Sequence, residues 1–148
     1  MSYLTAWPSS EATKAARQRT TREWWQERRS DFELFVSQVV VDEAGAGDPE
    51  AAASRLERIR ELPRLGVTSR VTALAKDLVA EGAIPPGSTG DAFHVALAAA
   101  HGMNFLLTWN CSHIANAERE EAIREVVEAA GYVLPVICTP EEMMGELE

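Results

Sequence analysis

The chain has little cysteine, no long apolar run and none of the common nucleotide or nucleophile signatures. Cys111 and Cys138 are its only cysteines among 148 residues. Two thiols cannot build a disulfide framework, so a reducing cytoplasm is the expected compartment. No stretch approaches the roughly 18 apolar residues of a membrane span, and no basic segment with an apolar core follows Met1, so neither a membrane anchor nor a signal peptide is expected. Gly45-Ala46-Gly47-Asp48 is not followed by Gly-Lys-Ser/Thr, which excludes a phosphate loop there. Nucleophile elbow, dinucleotide fingerprint, internal repeat and low-complexity linker are all lacking. What remains is one domain over residues 1–148, 46% hydrophobic and 25% charged, long enough to bury a real core.

Charge is uneven. The net value is −9, yet residues 1–30 carry six basic side chains (Lys14, Arg17, Arg19, Arg22, Arg28 and Arg29) against Glu11, Glu23 and Glu27. A basic first helix on an acidic body can steer a phosphate backbone. The same residues also read as a solvated helix face with internal ion pairs. Trp24 and Trp25 are neighbours on that helix and point different ways: one is expected to pack on the sheet and the other to meet a partner.

Local signals alternate helix and short apolar strand. Pro8-Ser9-Ser10 starts a helix expected to reach about residue 30. Residues 33–36 read as a strand, and Ser37 caps the helix that carries Val39, Val40, Asp42 and Glu43. Asp48-Pro49 restarts a helix over about 49–62. A strand follows at 65–67, then a helix capped by Thr68 with Val71, Leu74, Ala75, Leu78 and Val79 on one face. Ile84-Pro85-Pro86-Gly87 loops into a helix opened by Asp91, followed by a strand at 105–108 closed by Trp109 and Asn110. A helix over 118–130 ends at Gly131, a strand spans 135–138, and Thr139-Pro140 restarts a short helix. Such alternation with non-alternating strands predicts an α/β fold with a mainly parallel sheet. A strand should precede the first helix, and Tyr3-Leu4-Thr5-Ala6-Trp7-Pro8 does not supply one.

Three oxygen-bearing side chains are placed near strand ends, where open α/β sheets bind ligands. These are Glu43, Asp91 and Asn110. Hard divalent cations take carboxylate and amide oxygens and keep several waters. By spacing alone each also has an ordinary structural reading. An acid in a first turn partners the helix dipole, and Asn at a strand end is a common turn residue. His94, one turn after Asp91, reads as a helix histidine packed among Phe93, Ala96 and Leu97, and His101 as a partner of the helix C-terminus. Asp42 reads as a surface acid. Cys111-x-His113 falls short of a zinc set, with only Cys138 to add. Asn116 reads either as a helix cap or, with His113, as a rim to the site.

The order Ser37-x5-Glu43, Asp91-Ala-x-His94-x-Ala96 and Leu106-Leu107-Thr108-x-Asn110 resembles the PIN domain, in particular the VapC-like toxins of type II toxin–antitoxin systems. Ser2-Tyr3-Leu4-Thr5, Phe35-Val36-Ser37-Gln38, Thr108-Trp109-Asn110-Cys111 and Val136-Ile137-Cys138-Thr139-Pro140 extend the resemblance along nearly the whole chain. It implies a three-layer α/β/α sandwich and a Mg²⁺- or Mn²⁺-dependent ribonuclease. It further implies a VapB-like antitoxin as partner and a homodimer. Residue by residue, it places Glu43 as the family's second acid and Asp91 as its third. Asn110 takes the place of a fourth acid, and Thr108 that of a residue that helps hold the site. The family's first acid ends a central first strand just before the residues matching Ser2-Tyr3-Leu4. That strand and acid are therefore expected upstream of Met1, with residues 1–148 an N-terminally incomplete domain and strand edges left open. Two other readings stand beside the ribonuclease. One is a catalytically inactive PIN-like module that binds an antitoxin or itself. The other is a phosphatase-like hydrolase, which needs an Asp nucleophile after a first strand.

Overall fold

Ser37 shows how directly local chemistry fixes this backbone. In a computed structural model, which describes residues 12–108, 117–139 and 142, its hydroxyl accepts the Val40 N–H at 3.1 Å and starts a helix where the preceding strand ends. Asp48 accepts the Ala51 N–H at 3.0 Å and Thr68 the Val71 N–H at 3.3 Å. All three caps satisfy a donor that the first helical turn leaves without an internal acceptor.

The described elements run α1 (Ala12–Glu27), β1 (Val36–Ser37), α2 (Gln38–Ala44), α3 (Pro49–Ile59), β2 (Arg64–Leu65), α4 (Ser69–Ala80), α5 (Thr89–Ala100), β3 (Phe105–Leu107), α6 (Ala117–Ala129) and β4 (Val136–Cys138). Short 3-10 turns at Arg29–Asp31 and Pro86–Ser88 follow α1 and precede α5. The order matches the alternation read from the sequence. Strands are shorter than expected, and the first is shifted: pairing begins at Val36, where the Val36 N–H donates to Pro63 O at 2.9 Å. The helix expected after Thr139-Pro140 lies outside the described residues, apart from Glu142.

The chain divides after Arg64 into two compact units. In the first, α2 packs on α3, and Ala44, Ala52 and Ile59 are buried. Trp24 is 3% exposed and stacks on Phe32, with ring centroids 5.9 Å apart. One of its neighbours is thus the loop before β1.

In the second unit α4 packs on both α5 and α6. Val71, Leu74, Ala75 and Leu78 of α4 face Val95, Leu97 and the buried alanines of α5, with Ile123 and Val127 from α6 completing the core. The alanine-rich face of α5 lets its neighbours approach closely, which suits dense packing. Helices α5 and α6 both end on a left-handed glycine, Gly102 (φ 71) and Gly131 (φ 92). Each has the paired bonds of a Schellman cap, Met103 N–H to Ala98 O and Tyr132 N–H to Val127 O being the outer ones.

Strand pairing among the described residues forms two two-stranded ladders, β1–β2 and β3–β4. The second is parallel, in the register Phe105–Val136, Leu106–Ile137 and Leu107–Cys138. The architecture is α/β, helix-rich with short strands.

Candidate active site

Glu43 belongs to the first unit. It lies in the last turn of α2 and is exposed. Two features hold its helix. The Ser37 cap fixes the start, and Arg55 of α3 fixes the end: its Nε donates to Ala44 O at 3.0 Å and its Nη2 to Ala46 O at 2.7 Å. One planar guanidinium thus satisfies two carbonyls at a helix C-terminus, which a lysine cannot reproduce. Asp42, adjacent to Glu43, accepts from Gln38 Nε2 at 2.9 Å across one helical turn on the exposed surface, in keeping with its reading as a surface acid.

Asp91 and Thr108 belong to the second unit. The 3-10 turn at Pro86–Ser88 delivers the chain to α5, and Asp91 lies in that helix's first turn, half-buried. The positive end of the helix dipole lies at that turn. The next residue inward, Ala92, is fully buried, which locks the rotation of the first turn. Thr108 follows β3, and its N–H donates to Cys138 O at 2.9 Å, extending the parallel ladder by one step.

Chain geometry brings Asp91 and Thr108 to one end of this unit. α5 packs against β3 and joins it through the tight turn at Gly102, so the helix and strand run in opposite directions. From Asp91 to the end of α5 the helix rises about 14 Å. The strand then returns about 13 Å between Asn104 and Thr108. The two ideal lengths nearly match, which puts the first turn of α5 toward the carboxyl end of β3, where the α/β rule puts ligands.

Asn110, Cys111, His113 and Asn116 lie outside the described residues. His94 is half-buried one turn along α5 from Asp91. His101 caps α5, and its Nε2 lies 2.9 Å from Gly66 O. A carbonyl only accepts, so the ring carries a proton on Nε2 and ties α5 to the loop before α4. Neither this tie nor the Arg55 clamp was legible beforehand, because both bind backbone carbonyls at a distance along the chain and leave no local pattern.

A family model for the PIN domain matches residues 11–110. The chain belongs to the PIN domain family. All four residues singled out for the site, Glu43, Asp91, Thr108 and Asn110, fall within the matched span, which ends at Asn110. Comparison with curated proteins and with solved structures gave no match. PIN domains are generally nucleases that use divalent metal ions, and membership supports a nuclease function here. The donor chemistry fits such an ion: Glu43 and Asp91 offer carboxylate oxygens of the type hard divalent cations take. Among the described residues no group of three or more His, Cys, Asp and Glu side chains is placed to hold a metal ion. No described helix is long and apolar enough to cross a membrane.

Proposed function

We propose that this PIN domain is a metal-dependent endoribonuclease of the VapC toxin type, working in the cytoplasm with a VapB-like antitoxin as its inhibitor and a second copy of itself as its dimer partner. The family match that spans Glu43, Asp91, Thr108 and Asn110 is the observation that carries this reading. The place of Asp91 in the first turn of the helix that precedes β3 supports it. In this reading Glu43 and Asp91 hold Mg²⁺ or Mn²⁺, and Asn110 contributes a neutral oxygen to the ion, to its water or to a phosphate. When bound, the ion supplies a hydroxide at neutral pH and offsets charge on the phosphodiester, so no protein nucleophile is required. The protein's own part is positional. The Ser37 cap and Arg55 clamp hold the helix that bears Glu43, the buried Ala92 face orients Asp91, and the Thr108–Cys138 bond fixes the strand end.

Cleavage of single-stranded and structured RNA in Mn²⁺ or Mg²⁺ tests the proposal. The full-length protein is expected to cut, and Glu43→Gln and Asp91→Asn to lose cutting while keeping its circular dichroism. A folded full-length protein that neither cuts RNA nor gains thermal stability from Mn²⁺ would overturn it in favour of the inactive binding module.

A further inference from the structure

The exposed large apolar side chains among the described residues gather in one region. Val67 is 45% exposed, Phe105 47%, Val133 80% and Val136 57%. All four belong to the second unit. Phe105 and Val136 are the first register pair of the β3–β4 ladder. Val133 comes three residues before Val136, between Gly131 and β4. Gly66, next to Val67, is tied by its carbonyl to His101, the cap of α5, four residues before Phe105. The four therefore lie toward the amino end of the ladder, away from the carboxyl end to which the first turn of α5 points. Charge is absent from the same stretches. Residues 65–69, 101–108 and 129–139 contain no Asp, Glu, Lys or Arg, although the chain as a whole carries −9. Apolar side chains scattered singly are ordinary on a surface, whereas a charge-free group of them marks a contact surface.

What covers it follows from what the patch offers. Without basic residues it does not select nucleic acid or an anionic lipid surface, and a net −9 repels both. It is poorly made to add a peptide strand. The Val136 N–H donates inward to Asn104 O at 2.9 Å, so the backbone of residues 135 and 137 turns to the outer edge of β4, where Pro135 has no N–H to offer. A side chain as exposed as Val133 projects, so it lines no recess for a small ligand. A second uncharged apolar surface meets all of these conditions, and the same patch on another copy is one. Two copies at −9 each repel wherever their acids approach, and least where neither carries charge. A patch that meets itself closes across a two-fold axis.

Resting on the dimer of the reading above, we propose that two copies of this chain join through this patch, two-fold related, with Val133 and Val136 at its centre. Such a dimer leaves the first turn of α5, with Asp91, uncovered at the opposite end of the unit.

Sedimentation equilibrium of the full-length protein over a range of concentration and salt is the test. A monomer–dimer equilibrium is expected, and it should tighten as salt screens the like charge of the two copies. Val133→Glu and Val136→Glu are each expected to weaken it by at least about 100-fold, because the two-fold axis brings each new carboxylate close to its own copy in a patch without counter-charge. Should Val136→Glu fail to fold, Val133→Glu decides, since its site is open to solvent and its fold is checked by circular dichroism. A dimer unchanged in a folded Val133→Glu overturns the proposal, and so does association that salt weakens. A mass that keeps rising with concentration marks a head-to-tail contact and overturns it too. A full-length protein that stays monomeric does the same and leaves a different protein as the occupant. Cleavage of RNA in Mn²⁺ separates the two readings. Cutting by a monomer, or by a dimer indifferent to Val133→Glu, defeats the patch alone, and a Val133-dependent dimer that does not cut defeats the nuclease alone.

Discussion

Asp42 and Asp91 carry the same carboxylate, and their surroundings separate them. Asp42 is exposed and takes a hydrogen bond from Gln38 one turn away, while Asp91 is half-buried in the first turn of a helix whose next residue is fully buried. Asp42→Asn is therefore expected to leave RNA cleavage within about twofold of wild type, because its side chain points about 100° around the helix from Glu43 and bonds Gln38 instead. Asp91→Asn is expected to abolish it. Parallel cleavage assays at saturating Mn²⁺ check both. The capping serine and threonine make a second residue-scale case. Ser37→Ala and Thr68→Ala each remove a side-chain acceptor, at a cost of about 1 kcal/mol in urea denaturation. Ser37 is the more sensitive of the two because it is buried and Thr68 is exposed.

At the scale of elements, helix ends decide where the chain turns. Gly131 closes α6 at φ 92, a conformation that costs an L side chain about 1–2 kcal/mol. Gly131→Ala is expected to lower stability by that amount although an added Cβ meets nothing within 4 Å. Gly87 has the same open space without a positive φ, so Gly87→Ala is expected to be nearly neutral. Equilibrium denaturation of the pair separates backbone strain from packing. Arg55 acts on an element it does not belong to. Arg55→Lys removes the fork that spans Ala44 O and Ala46 O. It is expected to slow cleavage while leaving Asp48, the cap of its own helix, in place. A fall in kcat that exceeds any change in KM marks it as a positioning residue for Glu43.

For the whole molecule, metal binding and stability are linked. If Glu43 and Asp91 hold one ion, Mn²⁺ at 100 times its dissociation constant adds about 2.7 kcal/mol, and each kcal/mol moves Tm by about 2–4 °C in a chain of this size. The expected rise of roughly 5–11 °C should vanish in Glu43→Gln and in Asp91→Asn and persist in Asp42→Asn. A rise that survives both site substitutions places the ion elsewhere.

By itself the sequence determined the features that rest on nearest neighbours in the chain: the Ser37, Asp48 and Thr68 caps, the left-handed Gly131, the apolar face of α4, and the motif order that the family match bears out. These are set by torsion angles and by hydrogen bonds spanning three or four residues, so local composition is enough to read them. The strand bounds were less legible, because pairing partners lie far away along the chain and apolar residues alone do not say where pairing begins. Only the tertiary structure decided that Trp24 stacks on Phe32 while Trp25 lines a groove, that Arg55 clamps the helix bearing Glu43, and that His101 reaches Gly66 O. Each depends on which surfaces meet once apolar area is buried, and burial acts between residues that the sequence keeps apart.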